Sequence, residues 1–171
     1  VWLVGAVPGH GLVVGQPGEV FRQVDVQHLL KQGFHIPFPD GQHAPDGSDA
    51  FEALESLHRA GADVIGTNCG QGVAKVLKAI EYLGRRTNAY LSAFANAGLP
   101  QRVGGRMLYL ATPQYIAESA VRMVEAGANI IGGCCGTTAR DIAAIAQRVG
   151  DMRPAKRQVS IPAAISVEPA A

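Results

Sequence analysis

Hydrophobic residues recur at helical spacing in four stretches of the chain, and each stretch follows a short apolar run of strand length. The apolar runs occupy residues 34–38, 63–66, 89–94 and 129–131, and the helical stretches end near Gly61, Gly84, Gly127 and Gly150. A strand followed by a helix is therefore repeated over 34–61, 62–84, 88–126 and 129–149. Units of this size join parallel strands by right-handed crossovers. The pattern predicts an α/β fold, either half of an eight-stranded barrel or part of an open sheet.

The predicted helices begin at residues that can accept hydrogen bonds from the free N–H groups of a first turn. These residues are Ser48, with Asp49 and Glu52 in the first turn, Thr112, followed by Pro113, and Thr138, paired with Asp141. Between the third strand and its helix, Gly104 and Gly105 predict the tight turn of a small hairpin.

The two ends of the chain give weaker patterns. Residues 2–7 and 12–14 could be strands, and residues 20–30 could form a helix that ends at Gly33. The tail from residue 151 contains three prolines and scattered charge, which is typical of a linker. We therefore divide the chain into a poorly matched segment 1–34, a half-barrel domain 35–150 and a tail 151–171.

Composition narrows the class of protein. The chain has 171 residues, of which 47% are hydrophobic and 17% charged, with a formal net charge of +1. These values predict one soluble domain with no nucleic-acid or membrane partner. No apolar run is long enough to span a bilayer, and no signal peptide is visible, so we expect a cytoplasmic protein. Because the chain does not begin with Met, we also expect that it starts within a longer protein.

All three cysteines lie in glycine-rich runs that directly follow predicted strands. Cys69 belongs to the run 66–70, and Cys134 and Cys135 belong to the run 132–138. Because the carboxyl ends of parallel strands meet at one edge of a sheet, the thiols are predicted to meet there. Our hypothesis is that they bind one Zn²⁺ and leave its fourth position open for a substrate thiol. Adjacent cysteines can share an ion only where the strand has ended and the chain turns.

Other interpretations of the same residues stay open at this point. The cysteines could be small buried hydrophobes, a redox pair at Cys134 and Cys135, or the ligands of a closed structural zinc or thiol-sensing site. Asn68 and Asn96 could serve loop and turn geometry instead of contacting a substrate. An odd number of cysteines, two of them adjacent, is a poor disulfide framework and fits a reducing compartment.

Three motifs together resemble the zinc-binding half of the homocysteine S-methyltransferase domain. They are Asp-Val-Ile-Gly-Thr-Asn-Cys at 63–69, Asn-Ala-Gly-Leu-Pro at 96–100 and Gly-Gly-Cys-Cys-Gly-Thr-Thr at 132–138. The stretch from 96 to 113 and the Ser-Val-Glu-Pro run at 166–169 look most like the form that is fused to methylenetetrahydrofolate reductase. The resemblance covers about residues 35–149 and implies the last four units of a (β/α)8 TIM barrel.

The resemblance also implies a function and roles for individual residues. Cys69 would end the sixth barrel strand, and Cys134 and Cys135 would follow the eighth, with Zn²⁺ as their cofactor. Asn68, Asn96 and Gly133 would line the site for homocysteine, whose thiol would take a methyl group to form methionine. The methyl donor is left open. The first four barrel units are absent, so the alternative is a truncated, inactive fragment that retains the zinc site.

A half barrel has consequences for association. Two sheet edges and the inner face would be left without a partner. We therefore expect self-association, or pairing with a missing half or a fused reductase domain.

Overall fold

The computed structural model describes residues 2–7, 11–15 and 33–159, and side chains from residue 33 to residue 159. Its four helices are α1 (Ala50–Arg59), α2 (Val73–Leu83), α3 (Pro113–Glu125) and α4 (Ala139–Val149). The strands are β1 (Trp2–Val7), β2 (Gly11–Gly15), β3 (Gly33–His35), β4 (Val64–Cys69), β5 (Tyr90–Ala95), β6 (Gln101–Val103), β7 (Arg106–Leu108) and β8 (Ile130–Gly133). No helix in the described ranges is both long and apolar enough to cross a bilayer.

The main sheet has six strands in the order β2-β1-β8-β5-β4-β3. The strands β3, β4, β5 and β8 are parallel and alternate with α1 to α4, which confirms the predicted strand–helix repeat. Strand β1 adds to the outer side of β8 in parallel, and β2 pairs with β1 in the antiparallel direction. Strand β8 is therefore an inner strand, and the described sheet has its two edges at β2 and β3.

The hydrophobic core lies between the helices and one face of the sheet. Side chains at alternate positions of the strands pack against buried residues of the helices: Ala93 shares a cluster with Ile80 and Val124. Leu91 shares a second cluster with Leu54 and Leu83. Because successive strand residues point to opposite faces, Ser92 and its equivalents face the other side of the sheet. That second face would be the inside of a barrel.

The helix starts agree with the predictions except at α1. Asp49, and not Ser48, caps α1, because its carboxylate accepts from the backbone N–H groups of Phe51 and Glu52. The Ser48 hydroxyl donates instead to Asp46 at 2.7 Å. Thr112 caps α3 as predicted, by accepting from Tyr115 N.

Strand lengths differ from the predictions in both directions. Strand β3 ends at His35, short of the predicted 38, and Pro37 lies in the part that is not strand. Strand β4 continues beyond Gly66 to Cys69, and the β6–β7 hairpin turns at Gly104 and Gly105 as predicted. The predicted helix over 20–30 lies outside the described residues, and the division into three segments stays a prediction.

Candidate metal centre

The cysteines are brought together by the ends of two strands on either side of β5. Cys69 is the last residue of β4 and has a φ of +54°, so the chain turns sharply as the strand ends. Strand β8 ends at Gly133, directly before Cys134 and Cys135. The loop that carries the cysteine pair is fixed to the end of β5, because Cys134 N donates to Ala95 O at 2.9 Å. The predicted turn after β8 is therefore present.

The three sulfur atoms form one compact group. The Sγ atoms of Cys69 and Cys135 are 3.5 Å apart, and those of Cys134 and Cys135 are 3.9 Å apart. All three lie within 4.8 Å of one another. Ligands of a tetrahedral zinc ion with Zn–S bonds of about 2.3 Å are separated by about 3.8 Å. The cysteine cluster (Cys69, Cys134 and Cys135) therefore fits the geometry of a single zinc ion.

The exposure of the cluster argues against a purely packing role. Cys135 is exposed, and Cys69 and Cys134 are half-buried, whereas structural cysteines in a core are closed off from solvent. All three thiols are free. The side that Cys135 presents to solvent is open to a further ligand.

The thiols differ in acidity because of their surroundings. Burial, together with the hydrogen bond to Cys134, raises the pKa of Cys69 to about 12. Burial also acts to raise the pKa of Cys134, but its hydrogen bonds with Cys69 and Cys135 outweigh it and leave that pKa below the usual value. Asn68 adds to this effect, because its Nδ2 donates to Cys134 Sγ at 4.0 Å. Cys134 thus carries a negative charge more readily than Cys69 does.

The turn that presents Cys134 is closed by Thr137. Both the backbone N–H and the hydroxyl of Thr137 donate to Cys134 O, at 3.1 and 2.6 Å. The Thr137 side chain occupies the space that a Cβ on Gly133 would take. Gly133 therefore contributes by letting Thr137 approach the backbone. The role predicted for Gly133 in substrate binding stays a prediction.

A second glycine lets an aromatic ring pack on the cysteine loop. Gly136 has a φ of +77°, and a Cβ there would overlap the ring of Tyr109, which follows the β6–β7 hairpin. The ring consequently packs closely against the loop that follows Cys135. Nothing in the local sequence pattern around Tyr109 signals this contact.

Asn96 lies beside the cluster with an unused acceptor. The residue is 4% exposed, and Ala97, which follows it, donates from its N–H to Cys135 O at 3.0 Å. The Nδ2 atom of Asn96 donates to Gly98 O at 3.1 Å, which is the turn geometry considered above. Its Oδ1 is buried and has no hydrogen-bond partner. Buried carbonyl oxygens are rarely left unpaired, so Oδ1 marks a position where a donor of a ligand can bind.

The start of α4 is already neutralised by the chain itself. Thr138 donates from both its N–H and its hydroxyl to Asp141 Oδ2, each at 2.7 Å. Asp141 is 5% exposed. The positive end of the helix therefore faces its own carboxylate, which makes it a poor place for the carboxylate of a substrate.

Fold and site together define a class of protein: an α/β domain of barrel type with three thiols that could hold a metal ion at the carboxyl ends of its parallel strands. The sequence model of the homocysteine S-methyltransferase family matches residues 27–149. The chain belongs to this family.

Individual relatives agree with the family match. The chain is 34% identical over 121 residues to methionine synthase of Mycobacterium tuberculosis and 34% identical over 109 residues to that of Mycobacterium leprae. These stretches are 70% and 61% of this chain but only 10% and 9% of the relatives. The activity of the full-length relatives is therefore attributed to this chain only as a proposal.

Solved structures support the fold. The homocysteine methyltransferase MmuM of Escherichia coli matches in its metallated form with a TM-score of 0.54 and 27% identity, and in its oxidized form with 0.52 and 28%. The matches cover 68% and 67% of this chain and 35% of those chains. The prediction of a partial (β/α)8 barrel is confirmed. The likeness to a reductase-fused form stays a prediction.

Proposed function

We propose that the cysteine cluster binds one Zn²⁺ and that the chain is the zinc-binding part of an enzyme that methylates homocysteine to methionine. The observation that carries the proposal is the approach of three sulfurs to within 4.8 Å at the carboxyl edge of the sheet. Family membership supports the substrate, and the existence of a metallated form of a matched homocysteine methyltransferase supports a metal.

The chemistry of the donor set fits zinc. Sulfur ligands in a tetrahedral arrangement favour Zn²⁺ over hard cations such as Mg²⁺ or Ca²⁺. When bound, zinc would supply the Lewis acidity that makes a substrate thiol acidic near neutral pH. Three protein thiolates give the site an overall charge of about −1, which keeps electron density on a substrate sulfur. A homocysteine thiolate can then attack an activated methyl group and displace its carrier.

The residues of the chain prepare the site in two ways. Asn68 donates a hydrogen bond to Cys134 Sγ and so helps to hold this sulfur as an anion. Asn96 Oδ1 offers an acceptor for the ammonium group of homocysteine, since it is the buried acceptor beside the cluster that has no partner. The exposed side of Cys135 is where the substrate sulfur would approach.

The proposal leaves the donor of the methyl group open, and partner domains and self-association stay predictions. A second candidate function is a chain that holds zinc without turnover. It is favoured by the share of the matched homocysteine methyltransferase chains that this chain covers, which is 35% to 38%. A closed structural zinc site would instead need a fourth ligand from the protein.

Zinc content is the first test. The chain should bind one zinc per molecule by elemental analysis after metal-replete expression, and the single variants Cys69→Ser, Cys134→Ser and Cys135→Ser should each lose most of it. The control is Ser56→Ala, which changes an exposed hydroxyl on α1 and should leave the zinc content unchanged. Zinc-free protein, or equal zinc in wild type and all three variants, would reject the metal centre.

The uptake of homocysteine distinguishes a catalytic zinc site from a closed structural site. X-ray absorption of the zinc-loaded chain should show three sulfur neighbours, rising to four when homocysteine is added. Four protein ligands before addition would indicate a closed structural site. Methyl transfer is then assayed with methylcobalamin, methyltetrahydrofolate, betaine and S-methylmethionine in turn. Uptake of homocysteine without transfer from any donor would favour the second candidate.

A further inference from the structure

A cavity whose lining includes none of the cysteines lies at the ends of α2 and α3. Its volume is about 360 Å³, which falls within the range of small-molecule sites. It opens beside the ends of α2 and α3 and the chain that precedes β5, whereas the cysteines follow the carboxyl ends of β4 and β8. The residues that line it are Glu81, Gly84, Arg85, Arg122, Glu125, Ala126, Ala155, Lys156, Arg157 and Gln158.

The cavity is built by close packing of the two helix ends and by the segment that follows α4. A Cβ on Gly84 would overlap Ala126 O, so only glycine lets α2 end against α3. The following segment is held in place because Ala155 N donates to Val124 O at 3.2 Å. The stem of Arg157 packs on Gly127, where a side chain would collide with it.

Only one of the two terminal guanidinium nitrogens of Arg157 has hydrogen-bond partners. Its Nη2 donates to Ala89 O at 2.7 Å and to Asn88 O at 3.3 Å. Its Nη1 is buried and has no hydrogen-bond partner. A buried guanidinium nitrogen without an acceptor is costly, because the loss of water is not offset. The backbone carbonyls hold Nη2, so a rotation of the guanidinium group that keeps this contact would turn Nη1 toward an acceptor that a ligand supplies in the cavity.

The charge of the lining favours an anion. Four cationic side chains face two carboxylates, and one of these carboxylates, Glu81, is engaged with Arg122 at 3.0 Å. The carboxyl ends of α2 and α3 each add about half a negative charge. The cavity therefore keeps a net charge of about +1. Arg122 is the cation that pairs with Glu81, and Arg85, Lys156 and Arg157 are the other cations of the lining.

We propose that this cationic cavity (Arg85, Arg122, Lys156 and Arg157) binds the phosphate group of a small phosphate monoester. Guanidinium groups match phosphate oxygens in geometry and form charge-assisted hydrogen bonds with them. A phosphate oxygen would pair with Arg157 Nη1, and the remaining charge would face Arg85 and Lys156. The volume leaves room for the organic part of the ester beside the phosphate. The site is independent of the methyl-transfer chemistry proposed for the cysteine cluster.

Thermal unfolding at constant ionic strength tests the site. The midpoint should rise in a saturable way with inorganic phosphate and with glycerol 3-phosphate, but not with chloride, and the ester should bind at least as tightly as the free ion. Arg157→Gln should weaken the apparent affinity about tenfold or more, since it removes a charge-assisted hydrogen bond. Arg85→Gln should weaken it as well. The matched control is Arg153→Gln, which changes an exposed arginine in the same segment outside the cavity lining.

Two outcomes would overturn the proposal. One is the absence of a saturable shift with either phosphate compound. The other is an affinity in Arg85→Gln and Arg157→Gln equal to that of the control. Should Arg157→Gln unfold the segment, Arg85→Gln decides alone, because Arg85 follows α2 and does not belong to the segment that carries Arg157.

Discussion

At the scale of single residues, the cysteine cluster depends on neighbours that do not themselves bind an ion. Asn68 precedes Cys69 on β4, yet its side chain contacts Cys134, which belongs to the other strand end. An N–H group directed at a sulfur stabilises negative charge on it and orients it toward the metal. Asn68 consequently connects the two parts of the cluster.

Replacing Asn68 by Ala should weaken zinc binding by about tenfold, because groups that support metal ligands contribute about 10- to 100-fold to affinity. The contact is long, at 4.0 Å, which places the expected effect at the low end. Affinity is measured by competition with a chromophoric chelator. Asn88→Ala is the control, since the side chain there is exposed and only the backbone carbonyl is used. Equal zinc affinities in the two variants would remove Asn68 from the site.

The grouping of the cysteines was predictable from sequence, whereas the hydrogen bonds around them were not. Parallel strands bring their carboxyl ends to one edge, so thiols that follow two strands must lie near each other. Residue spacing alone does not show whether Ser48 or Asp49 caps α1. The Ser48 hydroxyl donates to Asp46, and Asp49 caps the helix. The unpaired Oδ1 of Asn96 likewise depends on how the loop folds back.

At the scale of elements, the inner face of the sheet is held by a contact across three strands. Gly66 on β4 lies between His35 on β3 and Ser92 on β5 in the hydrogen-bonded register. Ser92 Oγ and His35 Nε2 share a hydrogen bond of 2.7 Å that passes over Gly66. The ring of His35 also meets Phe94 edge-on, with centroids 4.6 Å apart. This hydrogen bond requires glycine at position 66, because a Cβ there would overlap Ser92.

Gly66→Ala should therefore destabilise the fold by about 3 kcal/mol, because the added Cβ overlaps the Ser92 backbone, which cannot move aside as a flexible side chain would. Gly33→Ala is the matched control. It lies on β3, and its added Cβ would find its nearest neighbour at 3.8 Å, an ordinary contact. That variant should change stability by about 0.5 kcal/mol or less. Urea unfolding measures both, and equal losses of stability would show that the close approach at Gly66 is not a constraint.

The order of elements was predictable, but the pairing of the first strand was not. Helical periodicity and glycine stops are local signals, and they located α2 and α4 within a residue of their observed ends. The addition of β1 to β8 joins residues at opposite ends of the chain, and no local pattern reports such a partner. Strand ends were misjudged for a related reason, since β4 and β5 extend as far as their neighbours provide hydrogen bonds.

At the scale of the whole molecule, the cysteine cluster joins parts of the chain that are distant in sequence. Cys69 lies at the end of β4, and the cysteine pair follows the end of β8. Strand β5 lies between these two strands in the sheet. An ion held by both ends would bind the folded chain far better than the unfolded one, where Cys69 is apart from the cysteine pair. Metal binding is then coupled to folding.

Zinc at about 100 times its dissociation constant should raise the stability of the chain by about 2.7 kcal/mol. For a domain of this size, that corresponds to a rise of roughly 5 to 10 °C in the unfolding midpoint. Differential scanning calorimetry over a zinc series should show a midpoint that increases with the logarithm of zinc concentration, and a chelator should reverse it. Cys135→Ser and magnesium serve as controls and should show little of this effect. Because Cys135 lies within 4 Å of both other sulfurs, a rise of the same size in Cys135→Ser would mean that zinc stabilises the chain from another position.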